Sequence, residues 1–353
     1  MAVLRVGLLF GGRSVEHEVS IASATSIQGA LDPSRYEVVP ICVGHDGRWR
    51  IGAPGMPPEA VARGGSPLGP AVPAPRGVEA GLDVVLPIVH GTGGEDGTLQ
   101  GFLETAGVPY VGAGVLASAV GMDKEVSKRL LTHAGLPVVS WVTVLAGELA
   151  DPEAVEARVF AERELPVFVK PASLGSSVGT AKVSERGALL PALRDAARYD
   201  RKLLVERAVD GREIEVAVLG PAEAPEASLP GEIRPTHEFY DYESKYVDEG
   251  TELLVPAPLD EGQTAEVRRL ALETFGVLEG WGMARVDFLL DRGDERFYVN
   301  ELNTLPGFTD ASMYPKLWEA TGLPYPALVD RLIDLALERH RRAAALETTY
   351  RRG

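Results

Sequence analysis

The hydrophobic pattern divides the chain into alternating strand and helix periods. Residues 4–10 (LRVGLLF), 36–44 (YEVVPICVG) and 82–90 (LDVVLPIVH) are short, nearly continuous apolar runs, each predicting a buried strand. Between them, residues 17–31 predict a helix, and residues 98–107 predict another that ends at Gly107, followed by a short strand at PYVG. Apolar strands alternating with helices predict a parallel sheet covered on both faces. Residues 52–79 are rich in Pro and Gly without periodicity and predict a surface excursion.

From residue 121 the pattern changes. A helix over GMDKEVSKRLLTHAGLPV is stopped by Gly135, with Pro137 beyond it. Strands are predicted at VSWVTVL, at residues 166–170 (PVFVK), at TAKV and at residues 202–209, with helices around 151–163 and before residue 202. A third block opens with the strand at 212–220 (REIEVAVLG) and runs through a polar loop (THEFYDYESKYVDEGTELLVP) to the helix EGQTAEVRRLALETFGVL. Two strands, ARVDFLL and RFYVNEL, and an amphipathic tail helix complete it. The 353 residues exceed one typical core, so two or three domains are expected.

The net charge of −16 works against a nucleic-acid partner without forbidding a small anion in a local basic pocket. The lone cysteine, Cys42, reads as a buried strand residue and allows no internal disulfide. The N-terminus reads as a strand rather than a signal peptide, and no run reaches membrane-span length, so a cytoplasmic location without membrane association is expected.

Candidate chemistry concentrates in four places. In NELNT, Glu301 and Asn303 are two apart and share a strand face. With 291–295 as a hairpin loop, an even register sets them beside Arg285 and Asp287. Two carboxylates and an amide suit Mg²⁺, although a solvated hairpin face with an Arg–Glu pair has the same spacing. In VFVKPASLGSSVGTAKV, Lys170 ends a strand and the loop runs back into a strand, unlike a P-loop. Its backbone amides, Ser176 and Ser177 are placed to close over phosphates, with Gly175 and Gly179 permitting close approach and Lys124 as a second cation. A plain hairpin loop is the alternative.

GGRSVEHEVS and HGTGGEDGTLQG each follow a strand and open a helix, where ligands bind in parallel sheets. Glu16 suits a ligand ammonium with His90 beside it, whereas His17 reads as an exposed or structural residue. GAGVLA fits a dinucleotide pattern, but no acidic ribose partner follows it, so it reads as a helix-opening turn. FYDYESKYVDEG has the composition of an active-site cover, with Lys245 in its middle; locally packed tyrosines are the alternative. Gly307, after Asn303, offers an N–H for an oxyanion.

Taken in order, GGRSVEHEVS, HGTGGEDGTLQG, MDK, KPASLGSSVG, FYDYESKY, GWGMARVDF and NELNTLPGFT resemble the D-alanine–D-alanine ligases of the ATP-grasp superfamily over roughly residues 4–335. The resemblance implies an α/β protein with the ATP-grasp fold and three domains. These are an N-terminal parallel-sheet substrate domain (1–121), a central lobe with the phosphate loop (122–210) and a C-terminal lobe with the metal site and mobile loop (211–353). It implies ATP-driven joining of two D-alanines through an acyl phosphate, for peptidoglycan precursors. D-alanine–D-lactate or another carboxylate–amine ligation is the alternative; a nicotinamide oxidoreductase would leave Lys170 and the acidic trio unexplained.

The resemblance further places Lys124 and Lys170 on the ATP phosphates and Glu206 and Glu213 near adenine and ribose. Asp287, Glu301 and Asn303 correspond to ligands of two Mg²⁺ ions, with Mn²⁺ a possible replacement. Glu16 anchors the first substrate's ammonium with His90 in that subsite, and Arg285 with the Gly307 N–H stabilises the oxyanion. Lys245 and Ser312 contact the second substrate's carboxylate. Ser176 and Tyr246 form a hydrogen-bonded chain with Glu16, and the loop 236–250 closes over the site. A homodimer is expected from the same resemblance. Tyr246 in SKY favours the dipeptide, because depsipeptide-forming relatives lack it.

Overall fold

The structure, a computed structural model, describes residues 3–64, 81–234 and 251–347. Its strands form three sheets, taken in chain order. In the first, β1 (Leu4–Gly11) lies between β2 (Tyr36–Val43) and β4 (Val84–Pro87), parallel to both, and β3 (Trp49–Ile51) adds antiparallel to β2. β1 is buried from Val6 to Gly11, as a strand covered on both faces must be. Helices α1 (His17–Ala30), α2 (Pro58–Ala62), α3 (Thr98–Thr105) and α4 (Val115–Met122) accompany it. Two expectations are trimmed. The strand at 82–90 pairs only over β4, and PYVG makes a single bridge, Val85 to Tyr110. The excursion over 52–79 carries α2, whose Val61 is fully buried, and residues 65–80 lie outside the described part.

The second sheet holds β5 (Trp141–Leu145), β6 (Val167–Pro171), β7 (Ala181–Val183) and β8 (Lys202–Arg207) in the order β5-β8-β6-β7, all antiparallel. It is preceded by α5 (Lys124–His133) and interleaved with α6 (Pro152–Glu162) and α7 (Leu189–Ala196). Asp123 caps α5, accepting from the amides of Glu125 and Val126, and Gly135 ends it at φ +80°.

The third sheet runs β12 (Glu252–Leu254), β11 (Gly231–Arg234), β9 (Gly211–Gly220), β13 (Gly282–Asp291), β14 (Phe297–Asn303), with β10 (Glu226–Ala227) on β9. Its helices are α8 (Glu261–Val277), α9 (Met313–Ala320) and α10 (Tyr325–Ala344). α9 was not evident in the sequence pattern; it forms where Tyr314, Leu317 and Trp318 are buried.

The apolar clusters do not follow the sheets one for one. One cluster joins Leu8 and Phe10 of the first sheet and Ile27 of α1 to Leu219, Phe308, Tyr314 and Leu332 from beyond residue 211. A second sits between α8 and the third sheet and takes in Leu131 and Leu136. The third is confined to residues of the middle sheet and its helices, from Val142 to Val205. Among the described residues, no helix is long and apolar enough to cross a membrane.

Candidate active site

The opening between the sheets is built around a fault in the β13–β14 ladder. At the turn end, Leu290 pairs with Phe297 and Phe288 with Val299; past Phe288 the register shifts, and Asp287 pairs with Glu301 and Arg285 with Asn303. Asn300 is the extra residue of this β-bulge. Without it, Asp287 would oppose Asn300, and Glu301 and Asn303 would turn to the opposite face. The bulge therefore brings Arg285, Asp287, Glu301 and Asn303 together. Val286, Phe288 and Leu302, pointing away, are buried in the core.

Two cavities meet at this hairpin. One, of 510 Å³, lies between the second and third sheets, and Lys170, Ser177, Glu206, Glu213, Asp287 and Glu301 line it. The other, of 350 Å³, lies toward the first sheet, with Glu16, His90, Ser176, Arg285, Gly307 and Ser312 on its walls. Glu301 and Glu215 belong to both. The larger matches a nucleotide-sized cleft, the smaller a pair of small substrates.

Cations and carboxylates interleave across the larger cavity. Lys124 Nζ lies 2.9 Å from Glu301 Oε2 and donates to the Leu174 carbonyl at 2.9 Å. Lys170 Nζ is 2.7 Å from Glu206 Oε2 and donates to Asn300 Oδ1 at 3.3 Å. Burial works against the Lys170 charge, but Glu206, then Glu301 and Glu213, outweigh it and raise its pKa. Burial likewise opposes the Glu206 carboxylate; Lys128, 2.9 Å away, and Lys170 prevail and bring its pKa down to about 2. Lys128 itself is pulled below the ordinary lysine range, by burial first.

The loop between β6 and β7 crosses from this cavity to the next. Ser176 and Ser177 hold left-handed backbones, at φ 52° and 56°, between the glycines expected to permit close approach, Gly175 and Gly179. Of those, Gly179 is left-handed at φ +72°. Two adjacent non-glycine residues in that region cost energy that the fold must offset, a pattern concentrated at functional loops. Ser176 Oγ donates to Glu16 Oε1 at 2.6 Å, joining residues 160 positions apart. Glu16 stands at the N-cap of α1.

Around the smaller cavity, His90 is buried, with Nδ1 2.9 Å from the Leu305 carbonyl, Nε2 3.2 Å from Ser23 Oγ and Glu95 3.8 Å away. Burial disfavours its charged form, yet the neighbouring Glu95 and Glu16 carboxylates raise its pKa; burial in turn raises that of Glu95. Gly94 has its own constraint: a Cβ there would sit 1.9 Å from the Val89 carbonyl oxygen, so the motif needs glycine. Arg285 grips Asp287 through two bonds of 2.7 Å and lies 3.0 Å from Glu215. Burial opposes its charge, but Asp287 and Glu215 more than compensate. Asn303 Nδ2 donates to Asp287 Oδ2 at 2.9 Å. Ser312, at the N-cap of α9, accepts from the Thr309 amide at 3.0 Å.

The fold thus brings together Glu16, His90, Lys170, Ser176, Ser177, Glu206, Glu213, Arg285, Asp287, Glu301, Asn303, Gly307 and Ser312 around one pair of cavities, with Lys124 in a small adjoining pocket beside Glu301 and Asn303. Lys245, Tyr246 and the rest of the expected closing loop lie outside the described residues. Three participants went unnamed in the sequence: Lys128, Glu215 and Asn300. Lys128 follows Lys124 at helical i+4 spacing and Glu215 follows Glu213 at strand i+2 spacing, so periodicity carried a signal for both. Asn300 is placed by the bulge and had none.

Asp287, Glu301 and Asn303 offer hard oxygen donors, with neither imidazole nor thiolate among them, and their carboxylates already sit opposite cations. This donor chemistry fits a divalent ion such as Mg²⁺ and does not favour Zn²⁺.

A cleft between two antiparallel sheets, with lysines from one facing acidic residues of the other, is the arrangement of ATP-grasp enzymes, and the class follows from it. Solved structures agree. A D-alanine–D-alanine ligase from Coxiella burnetii superimposes with a TM-score of 0.83 at 40% identity, covering 98% of this chain and 97% of that one. The VanG D-Ala:D-Ser ligase from Enterococcus faecalis does so at 0.85 and 32% identity, covering 95% and 100%. Family models described as D-ala D-ala ligase N-terminus and C-terminus match residues 5–113 and 130–334. A D-alanine–D-alanine ligase from Solibacter usitatus is 50% identical over 338 residues, 96% of this chain and 97% of its own length. The chain belongs to the D-alanine–D-alanine ligase family. The family's activity is ATP-dependent ligation of D-alanine to D-alanine, which serves peptidoglycan synthesis, and the chain is an enzyme using ATP and a divalent metal for it.

Proposed function

We propose that the chain makes D-alanyl-D-alanine through an acyl phosphate formed where the two cavities meet. ATP occupies the larger cavity, its phosphates toward Lys124, Lys170 and the Ser176–Ser177 loop, its adenine and ribose toward Glu206 and Glu213. The first D-alanine lies in the smaller cavity with its ammonium toward Glu16, near His90. Its carboxylate attacks the γ-phosphorus and ADP departs. The amine of the second D-alanine then attacks the acyl carbon, Arg285 and the Gly307 N–H hold the tetrahedral oxyanion, and phosphate leaves. Ser312 and Lys245 take the second carboxylate. Two Mg²⁺ ions, replaceable by Mn²⁺, would be held by Asp287, Glu301 and Asn303 and would neutralise polyphosphate charge.

The single observation carrying this reading is the bulged β13–β14 pair, which puts Asp287, Glu301 and Asn303 at the junction of both cavities. The domain limits 1–121, 122–210 and 211–353, a homodimer, a cytoplasmic location and the absence of nucleic-acid or membrane partners complete the proposal. The net charge of −16 supports the exclusion of nucleic acid.

The neighbour named for D-Ala:D-Ser ligation makes the second substrate the point to test. Mass spectrometry of products, with D-alanine, D-serine and D-lactate competing, should give D-alanyl-D-alanine in excess; a predominant ester or seryl product would overturn the assignment. Tyr246→Phe should retain ATP use while admitting more D-lactate, and an unchanged product ratio would remove Tyr246 from nucleophile selection.

A further inference from the structure

We propose that His17, Glu18 and His45 form a site for a divalent transition-metal ion of the zinc type, separate from the magnesium locus. Their ligand atoms all lie within 4.8 Å of one another, and among the described residues no other His/Cys/Asp/Glu trio does so. The catalytic reading leaves all three residues unused.

The fold prepares this cluster. β1 and β2 are adjacent and parallel, with Phe10 opposite Cys42 and Gly11 opposite Val43, so the segments leaving their C-terminal ends emerge side by side. Gly12 N bonds the Val43 carbonyl at 2.8 Å and locks that exit. From β1 the chain enters α1, which begins with His17 and Glu18; from β2 it enters the turn carrying His45.

The imidazole of His17 is oriented as a metal ligand's would be. Its Nδ1 lies 2.7 Å from the Gly12 carbonyl oxygen, which can only accept, so the proton sits on Nδ1 and the Nε2 lone pair is available. The ring is buried, 6% exposed, and stacks on the exposed His45 ring with centroids 3.9 Å apart and planes at 27°; shared ligation requires the exposed His45 ring to turn edge-on, so that its in-plane lone pair meets that of His17. Glu18, exposed on the first turn of α1, supplies the carboxylate. The nearby Asp46 is occupied with its own turn, accepting from the Arg48 amide at 3.0 Å.

Two imidazoles and one carboxylate, with a coordination position left for water, suit Zn²⁺, Co²⁺ or Ni²⁺ and discriminate against Mg²⁺. The preference is the reverse of that in the cleft. His17 directly follows Glu16, so an ion bound here ties the turn that presents Glu16 to Ser176 to the neighbouring β2–β3 turn.

The test is a Co²⁺ titration of the full-length enzyme, stripped with chelator and returned to saturating Mg²⁺, read by visible ligand-field absorption. The expected result is one saturable Co²⁺ per chain, displaced by Zn²⁺, not by added Mg²⁺, and retained in Glu301→Gln. His45→Ala and Glu18→Ala, both at exposed positions, should each weaken Co²⁺ binding by at least about tenfold. His45→Ala should keep the Mg²⁺-supported ligase rate. Absence of saturable binding, binding unchanged in both variants, displacement by Mg²⁺ or loss in Glu301→Gln would each overturn the site.

Discussion

The first and second sheets are joined to the third by different chemistry. Between the first and third, a continuous apolar cluster runs from Leu8 and Phe10 through Phe308 and Tyr314 to Leu332. Tyr36 Oη also donates to Asp330 Oδ1 at 2.8 Å, across 294 positions. The second sheet keeps its own apolar cluster. It reaches the others through polar links: Lys170 to Asn300 at 3.3 Å, Ser176 to Glu16 at 2.6 Å and Arg207 to Asp291 at 3.1 Å. Separating an apolar interface costs about 25 cal/mol for each Å² returned to water. Polar links exchange for water at a net cost of about 1 kcal/mol apiece. The first and third sheets therefore share a core, whereas the second sheet has a core of its own, and the lobe that carries it meets the third sheet's apolar cluster through Leu131 and Leu136.

The largest test of this contrast is chemical. Glu301→Gln should cut turnover by roughly 10²–10³-fold, the scale of losing one transition-state electrostatic contact, with the thermal midpoint almost unmoved. Phosphate release with saturating ATP and D-alanine, beside a melting curve, checks it; retained activity would remove Glu301 from the metal site.

Phe308→Ala comes next, with a loss of about 3–5 kcal/mol on denaturant unfolding. Because its cluster spans two sheets, both should lose hydrogen-exchange protection together. Val169→Ala, in the separate cluster, should raise exchange in the middle lobe alone. Matching exchange patterns in the two variants would contradict two differently attached lobes.

Glu206 gives a pH signature within the middle lobe. Its folded pKa is about 2 against an ordinary 4.5, so its contribution is present above 4.5 and is lost as pH falls toward 2. Denaturation of wild type and Glu206→Gln over that window should show their stability difference narrowing as acid is added. A constant difference would detach Glu206 from Lys128 and Lys170.

The smallest effect belongs to Arg207→Ala. That guanidinium is 41% exposed, so its link to Asp291 should be worth no more than about 1 kcal/mol. A much larger loss would mean that the lobes are held by ion pairs after all.

How far the sequence could be read varies along the chain. The strands at 4–10 and 36–44 and the helix at 17–31 were legible because burial on both faces and helical periodicity are local signals. α9 was not, because its Tyr, Pro and Trp positions become apolar packing only when the first sheet lies against them. In the site, Glu301 and Asn303 were legible as a pair sharing a face. The even pairing with Asp287 assumed an unbroken hairpin, and the structure reaches it by a different route, through the bulge at Asn300.

Local order was written in the amino-acid sequence: which segments are strands or helices, where Gly135 and Gly107 stop them, and which motifs carry lysines, serines and carboxylates. These depend on residues within a few positions of one another. The tertiary structure alone decided which face of β14 meets β13, that Ser176 reaches Glu16, and that Lys128 sits buried against Glu206. It also decided that one lobe has its own core. Each of these depends on the free energy of contacts between distant segments, and no local pattern encodes it.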